Sequence, residues 1–372
     1  MIGHQRVRCV VLGVGLTLAI SSCTASHPAA ATHASSVAPV VRSGAPPSSI
    51  AAGSAPVPVA SSAAEVSPTV VASSAQPPSR SPVAQRTSAA PNRTATPTLP
   101  VGPTRARPCG VSGTAHYTHV LWIWMENKGY GSVIGSSNAP FENSIAMQCG
   151  LATNDNGVSH PSLPNYLAAT GGSTFGVTDD ANPSAHQISA NSIFGQLDQA
   201  GLMWRSYNES MPRNCDTSPS GEYAVKHNPA TYYVTLRAAC GVNDVPLEGV
   251  FDRDIAAGSL PSFSFVTPNL CNDTHDCPVR TGDEWLATWI PKILAGPNYT
   301  SGSTLIIVTW DEAEGSSNRI PTIVIGPSVP VGTVATQRFD HYALLRTTED
   351  ILVLPHLQAA ASAPSMADAF GL

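Results

Sequence analysis

A serine stands in a run of residues that suits both the start of a helix and the chemistry of phosphate. Ser162 begins the run SLPNY and directly follows His160 and Pro161. The first N–H groups of a helix have no partner within the helix, so they favour a bound anion such as phosphate. Pro164 fits an early helical position, where no N–H is needed. Ser162 is therefore our candidate nucleophile. On this motif alone, the alternative that the serine only caps a helix stays open.

Two acidic clusters follow apolar runs. Glu126 and Asn127 come shortly after the run 119–124, and Asp311 and Glu312 directly follow the run that ends at Trp310. Continuous apolar runs of this length are typical of buried parallel strands, and sites in open α/β sheets form at the carboxyl ends of strands. Adjacent acids repel each other unless a cation or hydrogen bonds compensate. The pattern therefore favours a site for one divalent metal ion over two ordinary polar loops.

These motifs, taken together, resemble those of the phosphoesterase family. Five stretches appear in the family's order, and they are MEN at 125–127, HPSLPNY at 160–166, KHNP at 226–229, PN at 268–269 with HD at 275–276, and WDE at 310–312. The family includes bacterial acid phosphatases and phospholipases C, and it lies within the alkaline phosphatase superfamily. The resemblance covers roughly residues 116–356 and is greatest to the short secreted acid phosphatases of actinobacteria.

The resemblance implies a role for several residues in these motifs. It makes Ser162 the nucleophile, and it assigns the metal ion to Glu126, Asn127, Ser162, Asp311 and Glu312. It makes His227 and His275 catalytic, as groups that contact phosphate or protonate the leaving oxygen. The expected substrate-binding residues are Asn165, Lys226 and His341.

Some of these assignments have alternatives. Asn165 could brace the turn before the helix instead of binding phosphate, and His341 could cap the helix that begins there. Ser159 is a competing hydroxyl, although it lies outside the register of the motif. Asp273 and Asp276 flank His275 and could orient its ring.

The first part of the chain is typical of an exported protein. Residues 1–23 combine a basic start with a short apolar stretch, and they end in a pattern that resembles a lipobox, in which Cys23 would become the lipidated N-terminus. An ordinary cleaved signal is the alternative. Residues 24–108 are rich in Ala, Ser and Pro and contain no aromatic residue, so we expect a disordered tether. Residues 109–372 would form the catalytic domain.

The charge and cysteine content of this domain limit its function. Residues 109–372 carry 11 Lys and Arg against 24 Asp and Glu, a net charge of −13, which argues against binding to nucleic acid. Six cysteines lie in the domain, and an even number in an exported chain indicates disulfides. Several connectivities are possible. Proximity in the sequence favours Cys109–Cys149, Cys215–Cys240 and Cys271–Cys277.

Strand and helix patterns alternate through the domain. We expect strands at 120–124, 262–266, 304–310 and 322–325, and helices at 162–169, 192–200, 283–294 and 341–354. This alternation predicts an α/β fold with a mostly parallel sheet covered by helices. The resemblance implies the same three-layer α/β/α sandwich, like that of alkaline phosphatase.

The sequence thus predicts an exported, metal-dependent acid phosphatase that hydrolyses phosphate monoesters, with phosphoinositide phosphates among the candidate substrates. It would be a cell-surface lipoprotein or a secreted protein, and it would contact the membrane only through its lipid anchor. One alternative is a phosphodiesterase of the phospholipase C type, which needs a wider cleft. Another is a catalytically inactive binding lipoprotein, which the intact Ser162, Glu126 and Asp311 disfavour. The sequence carries no signal for an oligomeric state.

Overall fold

The computed structural model describes residues 107–113 and 116–372 of the chain. The predicted export signal at 1–23, the predicted lipidation site Cys23 and all but the last two residues of the predicted tether at 24–108 lie outside the described residues. Within the described ranges, no helix is long and apolar enough to cross a membrane.

A nine-stranded sheet forms the centre of the described part of the chain. Its strands are β1 (His119–Met125), β2 (Gly150–Asn156), β3 (Trp204–Asn208), β4 (Asp244–Pro246), β5 (Phe263–Thr267), β6 (Thr304–Trp310), β7 (Arg319–Ile325), β8 (Thr333–Ala335) and β9 (Phe339–Asp340). The order across the sheet is β4-β3-β5-β1-β6-β7-β2-β8, and β9 pairs with β2. β7 runs antiparallel to its neighbours β6 and β2, while the other described pairs are parallel. The predicted, mostly parallel sheet is confirmed.

The middle of the sheet is formed by β1 and β6, which are apolar on both faces. Every residue of β6 is buried, and so is every residue of β1 after His119. The two strands pair in parallel along their whole length, from His119 opposite Thr304 to Met125 opposite Trp310. A strand buried on both faces has a continuous apolar sequence. This physical requirement is why both strands were recognisable from the sequence.

Helices cover the sheet on both faces. They are α1 (Tyr130–Val133), α2 (Pro140–Gln148), α3 (Ser162–Gly171), α4 (Ile193–Ala200), α5 (Arg237–Asn243), α6 (Val250–Ala257), α7 (Val279–Ala295), α8 (Pro297–Thr300), α9 (His341–Leu352) and α10 (Ala367–Phe370). They pack in two groups, α3 with α4 and α9, and α7 with α2 and α8. The predicted α/β/α fold is therefore confirmed. Short 3-10 turns at Val225–His227 and Pro229–Tyr232 connect β3 to α5.

Helix ends differ from the sequence prediction by up to one turn. α3 continues to Gly171, because Gly172 takes a left-handed conformation with φ of 72° and its N–H donates to the carbonyl of Ala168. α9 begins at His341 as predicted, and the Asp340 side chain caps it by accepting hydrogen bonds from two N–H groups of the first turn. α7 begins one turn earlier than predicted.

The three disulfides pair as proximity in the sequence predicted. They are Cys109–Cys149, Cys215–Cys240 and Cys271–Cys277. The first ties the segment before β1 to the residue that precedes β2. The third closes a short loop after β5, and that loop contains a histidine and two aspartates. Disulfides stabilise a fold mainly by restricting the unfolded chain, and a short closed loop also restricts the side chains within it.

Candidate active site

Three acidic side chains lie together at the carboxyl ends of the central strands. Glu126 directly follows β1, and Asp311 and Glu312 directly follow β6. The strands end in register, and the N–H of Asp311 donates to the carbonyl of Met125 at 3.0 Å. Glu126 and Asp311 are fully buried, and Glu312 is 7% exposed. The two acidic clusters that the sequence predicted to be neighbours are therefore neighbours.

The hydroxyl of Ser162 contacts this cluster. Ser162 is the first residue of α3, and its Oγ donates to Oε2 of Glu126 at 3.1 Å. Tyr166 lies one turn further along α3, and its hydroxyl donates to Oε1 of the same carboxylate at 2.6 Å. The competing hydroxyl of Ser159 donates instead to the carbonyl of His160. The structure thus brings Ser162, and not Ser159, to the acidic cluster.

A carboxylate lies at the amino end of α3. The Leu163 N–H donates to Oδ1 of Asp180 at 2.9 Å, and Oδ2 of Asp180 accepts from Nζ of Lys226 at the same distance. Nζ of Lys226 also lies 3.2 Å from Nε2 of His275. The helix start and the lysine were both expected to bind phosphate. In the structure the Asp180 carboxylate accepts hydrogen bonds from both of these donors. A phosphate oxygen could take the place of a carboxylate oxygen there.

The turn that leads into α3 is braced by Asn165. Its Oδ1 accepts hydrogen bonds from the N–H groups of Val158 and Ser159, and its Nδ2 donates to the carbonyls of Ser159 and Pro161. Asn165 is fully buried, and its amide group is engaged by these four bonds. The prediction that Asn165 binds substrate is therefore replaced by its alternative, in which the residue fixes the turn that presents Ser162.

His227 lies between two carboxylates. Its Nε2 is 3.1 Å from Oε1 of Glu126, its Nδ1 is 3.2 Å from Oδ2 of Asp273, and its ring stacks on Tyr166. Burial lowers the pKa of His227 well below its ordinary value, and the charges of Lys226 and His275 lower it further. Both nitrogens face carboxylates, so this placement favours a role in positioning Glu126 over direct contact with the substrate.

The loop closed by Cys271–Cys277 presents His275. The Asp276 carboxylate lies 2.6 Å from Nδ1 of His275, which leaves Nε2 directed toward Lys226. Asp273 does not touch the His275 ring; it accepts the backbone N–H of His275 at 2.7 Å. The two aspartates that flank His275 therefore have different partners. Asp276 orients the ring of His275, and Asp273 orients His227.

The carboxylates of the acidic cluster are buried close together, and the surrounding protein does not fully stabilise their negative charges. Burial raises the pKa of Glu126 well above its ordinary value, and the charges of Asp311 and Asp273 raise it further. Burial, with the charge of Asp311, raises the pKa of Glu312 to about 8. Burial also raises the pKa of Asp311 and of Asp273. Such a group of carboxylates is more stable when it shares protons or binds a cation.

The donor set fits a divalent cation. Oδ2 of Asp311 is buried, and within the described part of the chain no N–H or O–H group donates a hydrogen bond to it. The other oxygen of Asp311 accepts the backbone N–H of Asn127 at 3.0 Å. Carboxylate, amide and hydroxyl oxygens are the ligands that hard and borderline divalent ions prefer. Ser162 donates to Glu126, the Asp311 carboxylate interacts with both of these side chains, and Glu312 and Asn127 are adjacent in the chain.

His341 is placed behind the site. It is 1% exposed, its Nε2 lies 2.5 Å from the backbone carbonyl of Asp311, and its ring packs on Trp124. Burial lowers its pKa to about 4, so the ring is neutral and donates to that carbonyl near neutral pH. The alternative that His341 caps α9 is wrong, because the Asp340 side chain accepts from the N–H groups of the first turn, and the His341 ring bonds instead to the backbone carbonyl of Asp311. The residue supports the backbone that carries Asp311, and Asp340 is the cap.

Several contacts in the site were missed by the sequence analysis. Asp180 had no assigned role, although it holds Lys226 and the start of α3. Tyr166 had no assigned role beyond its place in the HPSLPNY motif, although its hydroxyl donates to Glu126. His160 contacts Oε2 of Glu312 through Nδ1, although the sequence gives it no role beyond preceding Pro161. Each of these contacts depends on the packing of loops from distant parts of the chain, for which a single sequence has no local signal.

Comparison with known proteins gives similarities over most of the described residues. The profile of the Phosphoesterase family matches residues 124–355. The phosphatidylinositol-3-phosphatase of Mycobacterium tuberculosis is 35% identical over 258 residues, which cover 68% of this chain and 83% of that protein. An acid phosphatase of Aspergillus fumigatus is 31% identical over 264 residues, which cover 66% of this chain and 57% of that protein. This chain therefore spans little more than half the length of the fungal relative.

Among solved structures, this chain is similar to a protein in the alkaline phosphatase superfamily from Vibrio parahaemolyticus. The TM-score is 0.46 at 14% identity, and the similarity covers 70% of this chain and 73% of that one. The phosphonate monoester hydrolase of Agrobacterium radiobacter gives a TM-score of 0.47 at 13% identity, with 68% of this chain and 77% of that one covered.

The raised pKa of Glu312 predicts how the stability of the metal-free protein depends on pH. A carboxyl group whose pKa is raised by folding stabilises the fold at low pH and loses that contribution as the pH rises from about 4.5 to about 8. The melting temperature measured in a chelator should therefore be several degrees higher for Glu312→Gln than for the wild type at pH 8, and nearly equal at pH 4.5.

The exposed acid Glu284 provides the matched control. Glu284→Gln removes a carboxylate from the surface of α7, so its melting temperature should follow that of the wild type at both pH values. If Glu312→Gln and the wild type lose stability in parallel from pH 4.5 to pH 8, the Glu312 carboxylate is not a buried, destabilising charge.

Proposed function

Because this chain belongs to the phosphoesterase family and is a phosphoric ester hydrolase, we propose that it is a metal-dependent acid phosphatase that hydrolyses phosphate monoesters through Ser162. One observation carries the proposal. The Ser162 hydroxyl donates to a fully buried carboxylate, Glu126, at the point where Asp311 leaves an oxygen without a donor. The basic pair Lys226 and His275 lies in contact next to this cluster.

Ser162 acts as the nucleophile in the first step. Its hydroxyl is held by Glu126 Oε2, and the turn braced by Asn165 fixes its position at the first residue of α3. A divalent cation held by Glu126, Asp311 and Glu312, with Asn127, would lower the pKa of this hydroxyl and neutralise charge on the phosphate. Once the hydroxyl has given its proton to solvent water, the bond from Oγ to phosphorus forms as the bond from phosphorus to the leaving oxygen breaks. The products are a phosphoserine and, after the leaving oxygen takes a proton from His275, an alcohol.

The basic residues Lys226 and His275 bind the phosphate and supply the proton that the leaving oxygen takes. Lys226 and the Leu163 N–H are aligned on the two oxygens of Asp180, so they can donate to two phosphate oxygens when the ester displaces that carboxylate. Asp276 holds Nδ1 of His275, and Nε2 delivers a proton to the leaving oxygen. Neutral His275 then accepts a proton from the water that hydrolyses the phosphoserine.

His227 acts on Glu126 rather than on the substrate. It is neutral because its pKa is held well below the ordinary range, and it lies between Glu126 and Asp273. The ring stacks on Tyr166, and its two nitrogens lie 3.1 Å and 3.2 Å from oxygens of Glu126 and Asp273. It therefore orients the carboxylate that bonds to Ser162 without adding a positive charge that would weaken cation binding.

The place of action follows from the disulfides and the first part of the chain. Three disulfides lie in the described residues, and such bridges persist in oxidising compartments outside the cytosol. We therefore propose that residues 1–23 direct export and that Cys23 carries lipid, so that the enzyme acts on phosphate esters at the cell surface. The relative named phosphatidylinositol-3-phosphatase makes phosphoinositide phosphates candidate substrates.

Replacement of the nucleophile tests the reaction. Ser162→Ala should lower kcat by roughly 10³-fold or more, because it removes the Oγ that attacks phosphorus from the first residue of α3. The melting temperature should stay close to that of the wild type. Quenched wild-type reactions should contain phosphoserine at position 162, detectable by peptide mass spectrometry.

Ser159→Ala is the matched control for this prediction, since it removes a nearby hydroxyl that bonds only to a backbone carbonyl. It should retain most of its activity. A folded Ser162→Ala protein with near-normal turnover would remove Ser162 as the nucleophile.

Replacement of Cys23 tests the proposed location. Cells that express Cys23→Ser should release the protein to the medium, while the wild type should remain in the membrane fraction, because the lipid on Cys23 is the anchor that the variant lacks. The kcat of the purified proteins should be equal, since Cys23 lies outside the catalytic domain. Equal amounts of both proteins in the medium would refute lipidation at Cys23.

A further inference from the structure

The Asp180 carboxylate occupies the donors that the proposed function assigns to the phosphate. Its Oδ1 accepts from the Leu163 N–H at the start of α3, and its Oδ2 accepts from Nζ of Lys226, each at 2.9 Å. A helix N–H group and a lysine ammonium are both common donors to phosphate oxygens. A carboxylate presents the same kind of oxygen, but it carries one negative charge where a phosphate monoester carries about 1.5 to 2 near neutral pH. Asp180 therefore imitates part of the ligand.

The contact of Asp180 can break without a change in the fold. The backbone next to it is fixed, because the Tyr232 hydroxyl donates to the carbonyl of Ala181 and Oδ1 of Asp179 accepts the Ala181 N–H, each at 3.0 Å. The Asp180 side chain is 27% exposed, and its two donors are its only hydrogen-bond partners among the described residues. Side chains in contact with solvent change rotamer within nanoseconds. A rotation of this side chain into water therefore frees both donors while the loop stays in place.

The ion pair between Asp180 and Lys226 is also weak enough to be displaced. The Lys226 side chain is 21% exposed, so water reaches both partners of the pair. Ion pairs that water reaches contribute little, because they are screened and because holding two side chains together costs entropy. A phosphate ester has more charge and a further oxygen to offer, so it can take these donors from the carboxylate.

We propose that Asp180 is an internal competitor for the phosphate-binding donors, which lowers the affinity of the site for phosphate esters and for the phosphate product alike. The inference rests on the proposed function, in which Lys226 and the Leu163 N–H bind phosphate, and it adds a means by which that site is regulated. A ligand binds more weakly in proportion to the fraction of molecules whose site is free. Because the carboxylate returns to the donors when phosphate leaves, it limits inhibition by accumulated product.

Calorimetric titration of the purified full-length chain with inorganic phosphate tests the competition without depending on turnover. Asp180→Asn removes the charge of the competitor at nearly constant size, so its Kd for phosphate should be roughly tenfold lower than that of the wild type. The KM for p-nitrophenyl phosphate should fall by a similar factor. The kcat should not rise, because the competitor is already displaced in the enzyme–substrate complex. If Asp180 only positioned Lys226 for the substrate, the variant would instead have a higher Kd and a higher KM, which would refute the competition.

The neighbouring acid Asp179 provides a control for charge. Its side chain is 61% exposed and contacts His186 at 2.5 Å, away from the two phosphate donors. Asp179→Asn removes the same charge from the same loop, so it should leave the Kd for phosphate and the KM close to those of the wild type. The metal content of Asp180→Asn, measured by elemental analysis, should equal that of the wild type. A lower content would assign the effect of the variant to the cation and refute the competition.

A double variant separates direct contact from an effect of charge at a distance. Lys226→Met removes one of the two donors that hold Asp180. Adding Asp180→Asn to Lys226→Met should therefore change the Kd for phosphate by a clearly smaller factor than in the wild type. An equal factor in both backgrounds would show that Asp180 acts only through its charge, and the internal competitor would be refuted.

The outcomes distinguish this inference from the proposed function. If Asp180→Asn binds phosphate no more tightly than the wild type, the competition is refuted while the phosphatase stands. If the wild type hydrolyses no phosphate ester but Asp180→Asn still binds inorganic phosphate more tightly, the proposed hydrolysis fails while the phosphate site and its competitor stand. If phosphate binds to neither protein, the phosphate site fails and the competitor fails with it.

Discussion

The site is governed by the cost of burying several carboxylates side by side. Glu126 and Asp311 are fully buried at the ends of adjacent strands, and Asp273 is buried beside them. Isolated buried charges of like sign are strongly unfavourable, so each must have donors, a proton or a cation. The hydroxyls of Ser162 and Tyr166 both donate hydrogen bonds to Glu126. The bond from Ser162 fixes the position and direction of its hydroxyl.

The fold makes that burial unavoidable. The parallel register of β1 and β6 brings their last residues together, so the acids that follow them in the chain must share one edge of the sheet. The loop of Cys271–Cys277 is then joined to the same edge, because the Glu126 N–H donates to the carbonyl of Asp273 and Thr274 Oγ1 donates to the carbonyl of Glu126. The strand that carries the acids and the loop that carries the histidine are thus a single hydrogen-bonded unit.

The sequence predicted the parts of this arrangement that depend on local pattern. The apolar runs of β1 and β6 stop at acids, which was enough to place Glu126 and Asp311 together, and the HPSLPNY motif was enough to place Ser162 at a helix start. The sequence did not predict contacts between residues that lie far apart in the chain. His227 was predicted to act on the substrate, but Asp273 and Glu126 enclose it. Nothing in the residues around Asn165 or His341 distinguishes a brace beneath the site from a group that faces the substrate. That distinction depends on which loop packs above them.

Elemental analysis of the purified protein tests most directly whether the buried acids hold a divalent cation beside Ser162. Asp311→Asn should be compared with Glu142→Gln, which alters a fully buried carboxylate in α2 that lies beside Asp283. The wild type and Glu142→Gln should each contain one divalent ion per chain, and Asp311→Asn should have lost it. Wild-type metal content in a folded Asp311→Asn protein would contradict the account.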